Sequence, residues 1–458
     1  MRKRYLFIPL IAISVITGIL VWACEFRHPF GDGISLSSIN KNNIGIGGNG
    51  YLNEEGGPGY KGEISKEVTN DYIRQTSTKV EVFPKQEGNN YYRIPTLIQL
   101  TNGDLLAFAD RRIGSIGDLP NKIEVVMKRS RNNGRTWSAA TLVSPKCTSV
   151  DNSYGDAAFI LDRKTGNIIC VTVSGPGFAA PTTAKPKGST PDNPIRISVI
   201  KSRDNGKTWG TPVDITPQIY GSACKDTVRK NWHAAFASSG NGVQLRNGRM
   251  LFVLNVREAK ELFVRNYVMY SDDGGDTWIV SKNAPEHLDK SGGNEAKIVE
   301  LNDGTLLMAA RPGGVYQRYL AKSTDNGETW GPAEARKDLP SSSSNGDIIY
   351  YTSTNNGWDK NRIITMFDTA PYTQMPPGNP KMYYSYDEGK TWKSFLIHKG
   401  QAGYSSLAIL NDGSIGILAE IGGAWNGPIY FMRVNMKYIT DNKDKGPFKI
   451  AAAENKTK

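Results

Sequence analysis

The chain has 458 residues, 38% of them hydrophobic, with 48 glycines, 24 prolines, nine tryptophans and 21 tyrosines, a composition that reads as a globular all-β protein rich in turns. The formal charge of +12 is partly terminal, and the core has no dense basic run with interleaved aromatics, which argues against nucleic-acid binding. Only four histidines and four cysteines occur, and no Cys-x-x-Cys pair, so no metal site and no cofactor are expected. The length does not require two domains.

In chain order, Met1-Arg2-Lys3-Arg4 and the apolar run Tyr5 to Ala23 form the charged and hydrophobic parts of an export signal. Val21-Trp22-Ala23-Cys24 resembles a bacterial lipobox. That resemblance implies a signal peptide over 1–24, a lipid on Cys24, and a mature chain held at a membrane in the periplasm or at the cell surface. The other reading is an uncleaved anchor, because an apolar run of about 19 residues just spans a bilayer. Residues 25–78 are rich in Gly and Asn, with little apolar periodicity, and read as a tether. The remaining cysteines, Cys147, Cys170 and Cys224, leave one disulfide open without choosing its partners.

Two repeats alternate from residue 79 onward. The first is Ser-x-Asp-x-Gly-x-Thr-Trp, at Ser130–Trp137 (with Asn132 at the Asp position), Ser202–Trp209, Ser271–Trp278, Ser323–Trp330 and Ser385–Trp392. It suits a tight turn in which the Asp bonds backbone amides, Gly takes positive φ and Trp plugs the space beneath. The second is an apolar hairpin turning at Gly103, Gly248, Gly304 and Gly413, with looser copies at Gly166 and near Gly357. One unit of hairpin, strand, boxed turn and strand spans roughly 50–70 residues, the scale of a propeller blade. Six hairpins and five boxed turns predict a six-bladed β-propeller over 79–440, followed by a polar basic tail over 441–458.

The hairpin glycines set a register for polar residues. Arg93 and Asp156 lie 10 residues before their turn glycines, and Glu295 and Tyr404 lie 9 before theirs. Arg311 and Glu420 lie 7 after, and Arg112 lies 9 after, with Asp118 in the following loop. At about 3.3 Å per residue, each sits at the end of its hairpin away from the turn. If the hairpins are the inner strands, these side chains gather on one rim near the axis. Arginines there suit a carboxylate or phosphate, Asp118 suits protonation of a leaving oxygen, and Tyr404 needs a neighbouring base, for which Glu295 is the candidate.

Tyr92-Arg93-Ile94-Pro95 together with the boxed turns resembles the Arg-Ile-Pro motif and Asp boxes of the bacterial sialidases, over about residues 79–440. The resemblance implies a sialidase-like propeller without cofactor, in which Arg93 and Arg311 belong to a carboxylate-binding arginine triad and Glu420 orients Arg93. It further implies that Arg112 and Asp156 contact substrate, that Asp118 is the acid/base, that Glu295 activates the nucleophile and that Tyr404 is the nucleophile. One position departs: Pro377 stands where the third arginine is expected, and Lys381, of the same strand parity, is the candidate substitute charge.

The expected activity is retaining exo-hydrolysis of terminal α-linked sialic acids, by a monomer acting on sialylated glycans. The alternatives are hydrolysis of another ulosonic-acid sugar, intramolecular trans-sialylation, or non-catalytic binding of acidic glycans by a lipoprotein.

Overall fold

Each inner strand of the protein is apolar on both faces because it separates two buried layers. Leu97 packs toward Ala408, Leu418 and Phe431 on one side, while its neighbour Ile98 packs toward Ala157, Phe159 and Cys170 on the other. The computed structural model describes residues 79–179, 188–259, 263–287, 292–313, 316–342, 344–369, 378–423 and 426–447. The signal and tether segments and Pro377 lie outside them.

Six sheets follow one another in chain order, antiparallel except where Gly240–Asn241 pairs in parallel with Gly155–Leu161. Their inner strands are Asn90–Gln99, Gly155–Leu161, Ala234–Ala237, Gly293–Glu300, Asp347–Thr352 and Ala402–Ile409. We number the blades one to six in that order. The last is completed by the first strand among the described residues, Val80–Phe83, which pairs with Ile429–Val434. This closure ties the strand that precedes blade one in sequence to the last blade, so the ring of blades is joined by hydrogen bonds between its two ends. Six apolar clusters lie between successive blades, including one between blades six and one. The expected six-bladed β-propeller is therefore the fold.

The boxed turns behave as their residue types dictate. In the second copy, Asp204 Oδ1 accepts from Lys207 N at 3.0 Å and Thr208 N at 2.9 Å, and Oδ2 accepts from Thr208 Oγ1 at 2.6 Å. Gly206 N donates to Ser202 Oγ at 2.8 Å with φ +76°, a conformation that disfavours a side chain. Trp330 and Trp392 return their indole N–H to the carbonyls of Gly327 and Gly389.

Three details go beyond the sequence reading. Cys147, Cys170 and Cys224 are buried free thiols, so the disulfide left open among them is not formed. Asp444, assigned above to a polar tail, is buried against the domain and pairs with the fully buried Arg362 at 2.7 Å. Asn241, just after the inner strand of blade three, reaches across the axis and donates to Asp347 Oδ2 and Ser406 Oγ, each at 3.0 Å. That contact links blades three, five and six.

Candidate active site

A shared backbone irregularity builds the site. The inner strands of blades one, two, four and six each slip register relative to the next strand, between Arg93 and Thr96, Gly155 and Ala158, Gly293 and Ala296, and Ala402 and Ser405. A bulge bends its strand and re-aims side chains. Arg93, Asp156, Glu295 and Tyr404 all fall within these four. Two of the bulges carry positive φ on non-glycine residues, Ile94 at +63° and Asp156 at +50°. The β-branched Ile94 is a strong outlier there, and tertiary bonds hold it in place.

Glu420 supplies those bonds. Its carboxylate receives Arg93 Nε and Nη2, each at 3.1 Å, and the backbone N–H groups of Ile94 and Tyr404, each at 3.0 Å. One buried acid thereby fixes the Arg93 fork, the strained Ile94 and the Tyr404 backbone. Gly403 makes room for it, since a Cβ there would lie 2.1 Å from Glu420 Oε2. Burial alone would weaken the Arg93 cation, but the charge of Glu420, followed by Tyr404, outweighs it and holds the pKa above the usual value.

The Arg93 guanidinium lies 4.9 Å from the centre of the Tyr404 ring. The Tyr404 hydroxyl donates to Glu295 Oε1 at 2.5 Å and accepts from Arg311 Nη1 at 2.9 Å. The same Arg311 nitrogen forms a short bond with Glu295 Oε2. Burial, then the Glu295 charge, pushes the Tyr404 hydroxyl far above its usual pKa. For Glu295, burial acts upward, but the Arg311 charge and the bonds from Tyr404 and Arg311 outweigh it and leave a lowered pKa. The resting proton therefore sits on Tyr404, and Glu295 is an ionised acceptor waiting beside it.

Blades one and two form the opposite wall. Arg112 Nη1 pairs with Asp118 Oδ1 at 2.7 Å, and its Nη2 pairs with Asp110 Oδ2 at 3.3 Å. Asp118 is largely solvent-facing, whereas Asp110 and Arg112 are buried. Asp110 also accepts the backbone N–H of Asp156 at 3.1 Å, which supports that residue's positive φ. Burial, followed by the charges of Asp110 and Asp118, raises the Asp156 pKa well above the ordinary carboxyl range.

The structure thus brings Arg93, Glu420, Tyr404, Glu295 and Arg311 into one bonded group, with Arg112, Asp118 and Asp156 in a second. Long-range electrostatic interactions join the two, Asp118 with Arg93 and Glu295 with Asp156. Lys381 is not brought in. It opens a strand of blade five opposite Phe367 and Leu396, and among the described residues it forms no ion pair with the set. Sequence reasoning missed Asp110 and Gly403. Asp110 was within reach, being two residues from Arg112 and therefore on the same strand face. Among the described residues, no cluster of three or more His, Cys, Asp or Glu could hold a metal ion.

The BNR repeat-like domain profile matches residues 94–361, and the BNR/Asp-box repeat profile matches residues 383–394. The first covers more than half of the chain, and the chain belongs to this Asp-box family. Among curated proteins it is similar to a sialidase of Micromonospora viridifaciens, at 33% identity over 355 residues, covering 74% of this chain and 51% of the relative. A sialidase of Bacteroides fragilis is 28% identical over 341 residues, covering 72% and 60% respectively. The chain therefore spans just over half the length of these two relatives. Among solved structures, Hadza microbial sialidase Hz136 matches with a TM-score of 0.66 at 23% identity, over 79% of this chain and 69% of that one. The leech intramolecular trans-sialidase matches with a TM-score of 0.62 at 20% identity, over 80% and 71%. At these identities the two structures speak for the fold.

Proposed function

We propose that this chain is a retaining exo-α-sialidase that removes terminal α-linked sialic acids from glycoconjugates. The observation that carries the reading is the hydrogen-bonded trio of Tyr404, Glu295 and Arg311, with Arg93 over the tyrosine ring. A tyrosine hydroxyl held against an ionised carboxylate, between two arginines, is a nucleophile site for a substrate that carries its own negative charge. Sialidases depart from the two-carboxylate glycosidase scheme by using tyrosine in this way.

In the proposed reaction Arg93 and Arg311 hold the sugar's carboxylate. The Tyr404 oxygen attacks the anomeric carbon as its proton passes to Glu295. The bond to the leaving oxygen breaks, and Asp118 protonates that oxygen. Asp118, now a carboxylate, takes a proton from water. That water attacks the anomeric carbon of the tyrosyl intermediate, and the Tyr404 oxygen leaves and recovers its proton from Glu295. Transferring a proton rather than presenting a resident anion avoids repulsion between the nucleophile and the substrate's carboxylate. Asp156 lines the adjoining wall, where it meets the sugar's other substituents, and the buried Arg112 acts there through Asp118, which it holds at 2.7 Å.

Turnover of an α-linked N-acetylneuraminic acid glycoside by the full chain, abolished in Tyr404→Phe, tests the reading. Product analysis separates free sialic acid from the 2,7-anhydro product of an intramolecular transfer.

We further propose that the enzyme is exported and lipid-anchored through Cys24. The support is the Arg2-Lys3-Arg4 cluster, the apolar run and the cysteine that ends it. Cys24→Ala should move the protein from the membrane fraction to the soluble exported fraction. Unchanged membrane association would contradict the anchor.

A further inference from the structure

Beside Arg311 lies another buried guanidinium that the reaction above does not use. In blade four the antiparallel register pairs Ala309 with Leu320 and Ala310 with Tyr319. One step further, within the same two strands, it sets Arg311 opposite Arg318. Like charges directly opposed across a sheet destabilise it, and burial makes an uncompensated charge far more costly.

Arg318 is 2% exposed. Its Nη2 donates to the Ser344 carbonyl at 2.8 Å, and its guanidinium lies 4.5 Å from the centre of the Phe367 ring. Among the described residues its Nε has no hydrogen-bond partner. Among the described residues no carboxylate pairs with it within 4.0 Å; Glu295 and Asp368 act on it from farther away, and Asp368 already receives a short bond from Ser342 Oγ. Burial first, then the charge of Arg311, lowers its pKa to about 9.

The side chain also crosses between blades. Ser344, Gly346 and Phe367 belong to blade five or to the segment entering it. A Cβ on Gly346 would lie 2.7 Å from Arg318 Nη2, so glycine stands where the guanidinium passes. The family resemblance places a third arginine eight residues before Ser385 of blade five, a sequence position that here is Pro377 and lies outside the described residues.

We propose that Arg318 is the third cation of the carboxylate-binding site, supplied by blade four and leaning on blade five, and that the substrate's carboxylate balances the charge of the Arg311–Arg318 pair. The inference rests on the sialidase reading and names the residue that replaces the expected blade-five arginine. Because Arg318 is almost closed to solvent, it is a positioning residue. It acts on the anion through Arg311 and through a low-dielectric interior, where charge is felt strongly over several ångströms.

The test compares two probes on the full-length protein: the unsaturated sialic acid analogue DANA and its methyl ester, which lacks the negative charge. Arg318→Gln should weaken DANA about ten- to thirty-fold while leaving the ester within about twofold, and should raise KM more than it lowers kcat. Arg318→Lys, which restores the cation, should recover most of the DANA affinity. Thermal melts of both variants show whether the fold survives, and the Lys variant serves if the Gln variant does not fold. Equal losses for acid and ester, or no loss for either, would overturn the assignment. A DANA affinity in Arg318→Lys no better than in Arg318→Gln would also overturn it. If the wild type binds neither probe and hydrolyses no sialoside, the sialidase reading fails first and takes this assignment with it.

Discussion

The Tyr404 hydroxyl donates to Glu295 Oε1 at 2.5 Å, joining blades six and four across the mouth of the propeller. Burial and the facing carboxylate keep the proton on the tyrosine, while Arg311 keeps Glu295 ionised. In the proposed reaction this pair transfers the proton only as the new bond forms. Glu295→Gln preserves shape but cannot accept the proton. It should lower kcat by about 10²–10⁴-fold, with a much smaller change in substrate KM. Steady-state kinetics on a fluorogenic sialoside measure this, and wild-type kcat in the Gln variant would remove Glu295 from its role.

Gly403 provides a steric test of the scaffold. A methyl group there would lie 2.1 Å from Glu420 Oε2, so Gly403→Ala must displace the carboxylate that holds Arg93, Ile94 N and Tyr404 N. Charged hydrogen bonds contribute about 1.5–3 kcal/mol each. The variant should melt lower and lose at least about tenfold in kcat/KM. Wild-type values for both would show that Glu420 does not organise the site.

Asp110 and Asp156 give the protein a stability term with a defined sign. Burial raises the Asp110 carboxyl to about 6 against the opposing pull of Arg112, and burial with the charge of Asp110 raises Asp156 well above its ordinary value. A carboxyl whose folded pKa exceeds its unfolded value of about 4 binds its proton more tightly in the folded chain. Its stabilising contribution is complete below about pH 4 and is lost as the pH rises through the folded pKa. Asp110→Asn removes part of this term. Whatever its overall melting temperature, the variant should gain on the wild type by a few degrees between about pH 4 and 7. Melting curves across that range decide it, and a difference that does not change with pH would contradict the assignment.

The boxed turns should matter to stability and not to chemistry. Among the described residues Asp204 bonds within its own turn, to Ser202, Lys207 and Thr208. Asp204→Ala should cost about 1–2 kcal/mol and leave kcat unchanged. Denaturant unfolding and steady-state kinetics on the same preparation check both halves, and a loss of kcat in a fully folded variant would contradict the separation.

Much of this architecture was legible in the sequence because it repeats. The boxed turns and hairpin glycines mark the ends of strands, and a polar residue at the same distance from several turns must share a rim. The distances differ by one, 10 for Arg93 and Asp156 against 9 for Glu295 and Tyr404. Each bulge inserts unpaired residues near the strand start, so counting from the hairpin does not give the side chain's direction there. Other residues were hidden for physical reasons. Arg318 has no repeat partner and matters only because the register sets it against Arg311. Gly403 looked like one glycine among 48 until Glu420 was placed beside it. Lys381 had the right strand parity for a substitute charge, yet parity specifies a face and says nothing of reach.

The most direct test of the proposed function is release of fluorophore from an α-linked N-acetylneuraminic acid glycoside by the purified full-length chain, set beside its Tyr404→Phe variant. The account predicts turnover by the wild type and a loss of at least about 10²-fold in the variant, with melting temperature and DANA affinity retained. Turnover undiminished in Tyr404→Phe, or none in a wild type that binds DANA, would contradict it.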